Sequence, residues 1–219
     1  MAGNLERSTL RGAPLAEIAV LTMTAIGLGF VMEVMILAAR FLASDSLPVL
    51  VFILAELWQQ VAWSFLICSA LTLASIIAER RLMLNMFLSM ALTPVALIGT
   101  KAFQKGIGAI LSLPSEADDA YIVTLFVGRA LEYALLSMLL LVLRLRGDVQ
   151  FHKFLSAGVL VAVMIGLPIG LRISDHSGTA AEQLGKVLNE VGWPILCACF
   201  VYGTAKLRLP AIQDTSKFR

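Results

Sequence analysis

PVLVFILAELWQQVAWSFLICSALTLASIIA, residues Pro48 to Ala78, decides the fold. These 31 residues form one apolar run, closed by Glu79, Arg80 and Arg81. A helix needs about 20 apolar residues to cross a bilayer, so the run is long enough to span with tilt or overhang. It also carries Glu56, Trp58, Gln59, Gln60 and Trp63 within a few turns. An ionisable group inside a span is costly in hydrocarbon. The default expectation is therefore that Glu56 faces the protein interior, with a partner or a function.

Working outward, the same kind of run recurs on both sides. The composition is 59% hydrophobic and 15% charged, with a mean hydropathy of +0.88. Soluble domains carry about 25% charged residues and arrange their apolar residues in stripes, whereas here they come in blocks. The expected fold is all-α: a polytopic α-helical integral membrane protein of about six transmembrane helices. The spans are expected at about 15–39, 48–78, 83–105, 120–143, 154–173 and 187–205. Residues 1–14 read as a cytoplasmic N-terminal segment, 15–206 as the six-helix domain and 207–219 as a cytoplasmic tail. The first run is full length and lacks a cleavage signature, so it reads as a span and not a removed signal peptide. Six crossings with short links use nearly all 219 residues, leaving no room for a soluble catalytic domain.

Charge orients the chain. With six spans, one side holds Arg7, Arg11, Arg80, Arg81, Arg144, Arg146, Lys153, Lys206, Arg208, Lys217 and Arg219. The other holds Arg40, Lys101, Lys105, Arg172 and Lys186. Eleven cations against five place both termini in the cytoplasm by the positive-inside rule, as for a bacterial inner-membrane protein. An odd number of spans would separate the two terminal basic clusters. A net charge of +2 without a basic run gives no reason to expect nucleic acid as a partner.

The polar residues inside the spans converge in depth. At about 1.5 Å per residue, Glu33 lies about 10 Å from the outer end of span 1 and Glu56 about 12 Å into span 2. By the same rise, Arg129 and Glu132 lie about 13 and 18 Å into span 4. One slab in the outer half thus receives charges from three helices. On span 2, Glu56, Gln59, Gln60 and Trp63 share a helix face; on span 4, Arg129, Glu132 and Tyr133 do. Three carboxylates against one arginine leave an excess that a proton, a bound cation or a second basic partner must meet. Lys101 snorkelling at the rim is one such partner. The acidic link with Glu116, Asp118 and Asp119 would form, with Lys101, an outer vestibule that concentrates cations. The plainer expectation is a buried ion pair, Arg129 with Glu56 or Glu33, that only fixes helix register.

Other residues are expected to be structural. Cys197 and Cys199 point about 160–200° apart on a helix and, with Cys68, read as small apolar residues. Trp58 and Trp63 are expected to pack inside the bundle and Trp193 to sit in an interfacial aromatic belt. Pro94 and Pro168 mark expected helix distortions. Residues 106–113 fit a helix extension, an interfacial segment or a re-entrant piece. No catalytic motif, metal-ligand spacing or cofactor motif is present, so no enzyme activity, metal or cofactor is expected. Two functional classes remain. One is a small homo-oligomeric channel or transporter with a cation- or proton-linked site at Glu33, Glu56, Gln59, Gln60, Arg129, Glu132 and Tyr133. The other is a non-catalytic anchor, sensor or scaffold subunit of a larger membrane assembly. The expected partners are the lipid bilayer and either further copies of the chain or other membrane subunits.

Overall fold

The computed structural model describes the backbone of residues 3–44, 49–78, 81–110, 122–147, 149–174 and 179–215. Side chains are described for 19–43, 49–78, 81–110, 125–147, 149–174 and 179–206. Among these residues every regular element is helical: α1 Gly3–Ser44, α2 Leu50–Ala78, α3 Leu82–Ile110, α4 Ile122–Leu145, α5 Phe151–Val161, α6 Leu167–Ser174 and α7 Ala180–Thr215. A π-helical turn, Ala162–Gly166, joins α5 to α6 into one rod. Six of the resulting helices are long and apolar enough to cross a membrane: α1 to α4, the α5–α6 rod and α7.

Local chemistry explains several boundaries. Arg81 N–H donates to Ala78 C=O at 2.8 Å, which bonds the start of α3 to the end of α2. Beyond α4, Gly147 adopts φ +69°, the left-handed conformation that commonly ends a helix and that only glycine adopts without penalty. Thr179 opens α7, its Oγ1 accepting from Glu182 N–H at 3.2 Å, and Thr179-Ala-Ala-Glu182 has the spacing of a capping box. Residues 174–186 were expected to be a polar link. The cap instead starts the helix at Ala180, which carries Lys186, Asn189 and Glu190 on its first turns. Residues 106–110 extend α3 as helix, while the acidic link with Glu116, Asp118 and Asp119 lies outside the described residues.

The two prolines behave differently. Pro94 is carried inside a continuous α3, where the Thr93 hydroxyl donates to Ser89 C=O at 2.7 Å. Ahead of Pro168 the helix widens, and Leu167 N–H bonds to Ala162 C=O, five residues back. A proline cannot donate to the carbonyl four residues earlier, and its ring crowds it, so a wider turn just before it relieves both problems.

Half of the most apolar stretch of α4 and of α7 is buried, against 28% for α1 and α3, so α4 and α7 are the central helices. Trp63, Ile67, Tyr133, Leu136, Phe154 and Trp193 form the heart of the core. Met23, Leu42, Met83 and Val95 point outward and are mostly exposed. Apolar faces of that extent suit hydrocarbon or a partner better than water. Two crossings depend on glycine. A Cβ on Gly29 would lie 2.6 Å from Val61 Cα, and one on Gly158 would lie 3.0 Å from Ile195 Cα. These close approaches set the α1–α2 and α5–α7 spacing.

Candidate functional site

The polar residues gather at the end of the bundle where α1 leads into α2 and α6 into α7. There a cavity of about 290 Å³ is lined by α1 to α4, by Ile173 of α6 and by α7. Its floor is made by Glu33, Trp63, Arg129 and Glu190, all at most 5% exposed. Its rim is made by half-buried Arg40, Glu56, Lys101 and Lys186, with Gln104 exposed.

Arg129 is the hub of the floor. Its Nη2 donates to Glu190 Oε1 at 2.6 Å, its Nη1 lies 3.6 Å from Glu132 Oε2, and Nη1 also donates to the Tyr133 hydroxyl at 3.4 Å. The guanidinium sits over the Trp63 ring at 5.0 Å, and Trp63 meets Tyr133 edge-on at 5.9 Å. Charge-assisted bonds and ring contact together hold a cation that would otherwise be intolerable in the core. A chain of amides extends this hub across the bundle. Asn189 Nδ2 donates to Glu190 Oε1 at 3.3 Å, Gln60 Nε2 donates to Asn189 Oδ1 at 2.9 Å, and Trp193 Nε1 donates to both Gln60 Oε1 and Asn189 Oδ1 at 3.1 Å. The network ties α2, α4 and α7 into one unit.

At the rim, Arg40 Nη1 donates to Glu56 Oε2 at 2.5 Å, joining α1 to α2. Glu33 of α1 lines the same cavity as this pair. It is 2% exposed, and neither of its carboxylate oxygens has a hydrogen-bond partner among the described residues. Glu132 is fully buried on the far side of Arg129. Gly166 of the π turn makes room for it, because a Cβ there would lie 2.8 Å from both Glu132 Oε1 and Glu190 C=O. The widened turn is thus packed against the charged hub, a frequent setting for π segments.

Of the residues expected from sequence, Glu33, Glu56, Gln59, Gln60, Lys101 and Arg129 line this single cavity, and Glu132 and Tyr133 stand behind Arg129. The pairing differs from expectation. Arg129 takes Glu190, not Glu56 or Glu33, and Glu56 takes Arg40. Trp193 is not an interfacial residue but fully buried, while Trp58, expected inside, is 50% exposed beside Phe103. Sequence reasoning missed Glu190 and Asn189. Part of the signal was present, since Glu190 interrupts the last apolar run three residues before Trp193; with that span expected to begin at 187 it lay near the outer end, and only the helix start at Ala180 brings it deeper. Among the described residues no group of His, Cys, Asp and Glu could hold a metal ion. No known protein family matches the chain, nor does any curated protein or solved structure.

Proposed function

We propose that the chain is a multi-pass membrane protein, with both termini cytoplasmic, that acts as a small homo-oligomeric channel or transporter. Its cation- or proton-linked site is the cavity in the outer half of the bilayer. The observation that carries this reading is Glu33, a buried carboxylate at the cavity floor with neither oxygen bonded among the described residues. The negative charge of such a group must be met by a proton or an arriving cation, since burying it alone costs many kcal/mol. Arg129 is less suited to that role, because Glu190, Glu132 and Trp63 already hold it. Behind the floor, Trp63 packs on the fully buried Tyr133, which supports a carrier that alternates access over an open pore.

The test is flux of protons and monovalent cations into liposomes carrying the purified protein. Glu33→Gln removes the charge and keeps the shape, and flux is expected to fall at least tenfold while extraction and melting temperature hold. Glu56→Gln, which loosens the rim pair, is expected to have the smaller effect. Absence of wild-type flux at any potential or pH would sink the reading.

A second reading, a subunit of a larger assembly, draws support from the outward Trp58–Phe103 pair, whose rings are 6.4 Å apart and half-exposed. Gentle extraction from the host followed by native mass measurement separates the two. A foreign subunit in fixed ratio favours the second.

A further inference from the structure

The cavity's charges do not all cancel among themselves. Arg40 is joined to Glu56 and Arg129 to Glu190. Glu132, behind Arg129, shares that guanidinium but does not line the cavity. Among the described lining residues that leaves one carboxylate at the floor, Glu33, and two ammonium groups at the rim, Lys101 and Lys186. The uncommitted hydrogen-bonding atoms are also of both kinds. Glu33 Oε1 and Oε2 and Glu190 Oε2 are acceptors without a donor; Trp63 Nε1 and Arg129 Nε are donors without an acceptor. All four residues line the same space.

A dehydrated metal ion would not fill about 290 Å³, and it would offer nothing to the Trp63 and Arg129 N–H groups. A simple anion would meet Glu33 at the floor and be repelled. The volume lies at the small end of ligand pockets, which run from roughly 300 to 1,000 Å³. The complement is therefore a small organic molecule carrying a cationic end, which enters first, and an anionic end, which stays near the rim.

We propose that the cavity binds a small organic zwitterion, its ammonium against Glu33 and its carboxylate toward Lys101 and Lys186. This rests on the cavity being a solute site and names the class of solute. Glu190 Oε2 is a second acceptor for the ammonium, and the carboxylate oxygens, the ligand's only acceptors, are what Trp63 Nε1–H and Arg129 Nε–H can donate to. Selectivity follows from having both ends read, since either half alone leaves buried groups of one sign unanswered.

The experiment is ligand-dependent melting of the purified protein in detergent at constant ionic strength. The zwitterion probes are glycine, L-alanine, L-leucine and glycine betaine. The halves of leucine are isoamylamine and isocaproate, with sodium and potassium chloride as ion controls. At least one zwitterion is expected to raise the melting temperature saturably and to bind at least tenfold more tightly than either matched half. Glu33→Gln is expected to lower that affinity at least tenfold. Lys101→Met with Lys186→Met should remove the advantage of zwitterion over amine while leaving the unliganded melt intact. If no zwitterion shifts the melt, or none exceeds its matched half, the proposal is overturned; stabilisation by sodium or potassium alone would assign an inorganic cation site instead. Glu33-dependent proton flux without zwitterion binding would overturn only this inference. Zwitterion binding without any flux would overturn only the transport reading.

Discussion

Glu33 and Arg129 occupy the same polar layer and fare very differently. Arg129 is surrounded by Glu190, Glu132, Tyr133 and Trp63, so its burial is compensated contact by contact. Removing it strands two buried carboxylates at once. Arg129→Ala is expected to destabilise the protein by about 3–5 kcal/mol, the cost of breaking a buried pair from one side. Glu190→Ala should also destabilise, and the double variant should cost less than the sum, because each single change leaves the other member of the pair buried and unmet. Equilibrium unfolding of the three variants in mixed micelles measures this. Additive losses would mean that the 2.6 Å bond is not energetically coupled. Glu33 has no such partner to lose, which is why its replacement by Gln is expected to spare stability and to change only flux and ligand affinity.

The helices position these residues through contacts that are themselves nearly featureless. α1 comes close enough to α2 for Arg40 to reach Glu56 because Gly29 has no side chain against Val61. Gly29→Leu is expected to cost about 1–3 kcal/mol through overpacking and to separate the rim pair. A Cβ on Gly27, two residues away, meets nothing within 4 Å, so Gly27→Leu should be silent, and thermal melting of the two variants side by side checks the contrast. The π turn does related work on the other side. By widening ahead of Pro168 it lets Gly166 pass beneath Glu132, so the α5–α6 rod closes over the charged hub without displacing it. The alternation of apolar runs and short links in the sequence sufficed to expect six helices. It did not reveal that α7 begins at Ala180, although the capping residues Thr179 and Glu182 spell that start. Polar composition hid a helix whose first turns face a polar cavity, where hydropathy alone reads them as a link.

For the molecule as a whole, an even number of crossings and the excess of cations on one side lead to a concrete topology. On a background with Cys68, Cys197 and Cys199 changed to Ala, single cysteines at exposed Arg81 and exposed Lys105 can be probed with an impermeant maleimide. The Lys105→Cys variant is expected to label in intact spheroplasts and the Arg81→Cys variant only after lysis. The reverse pattern would put the cavity mouth on the cytoplasmic face and change the direction of solute capture.

Taken by itself, the sequence determined that the chain is helical with six long apolar helices, and it picked out polar residues on several of them that line one cavity. Those properties are local, since run length and rise per residue set them without reference to any neighbour. The tertiary structure decided which charge answers which. Depth alone left Arg129 free to take Glu56 or Glu33, and long side chains reach several ångströms in any direction. Helix rotation and close crossings, fixed by contacts such as Gly29 on Val61 and Gly166 under Glu132, gave Arg129 to Glu190 and Arg40 to Glu56. Among the described residues they left Glu33 without a hydrogen-bond partner at the floor of a cavity, because no cation on a neighbouring helix was brought within bonding distance of it.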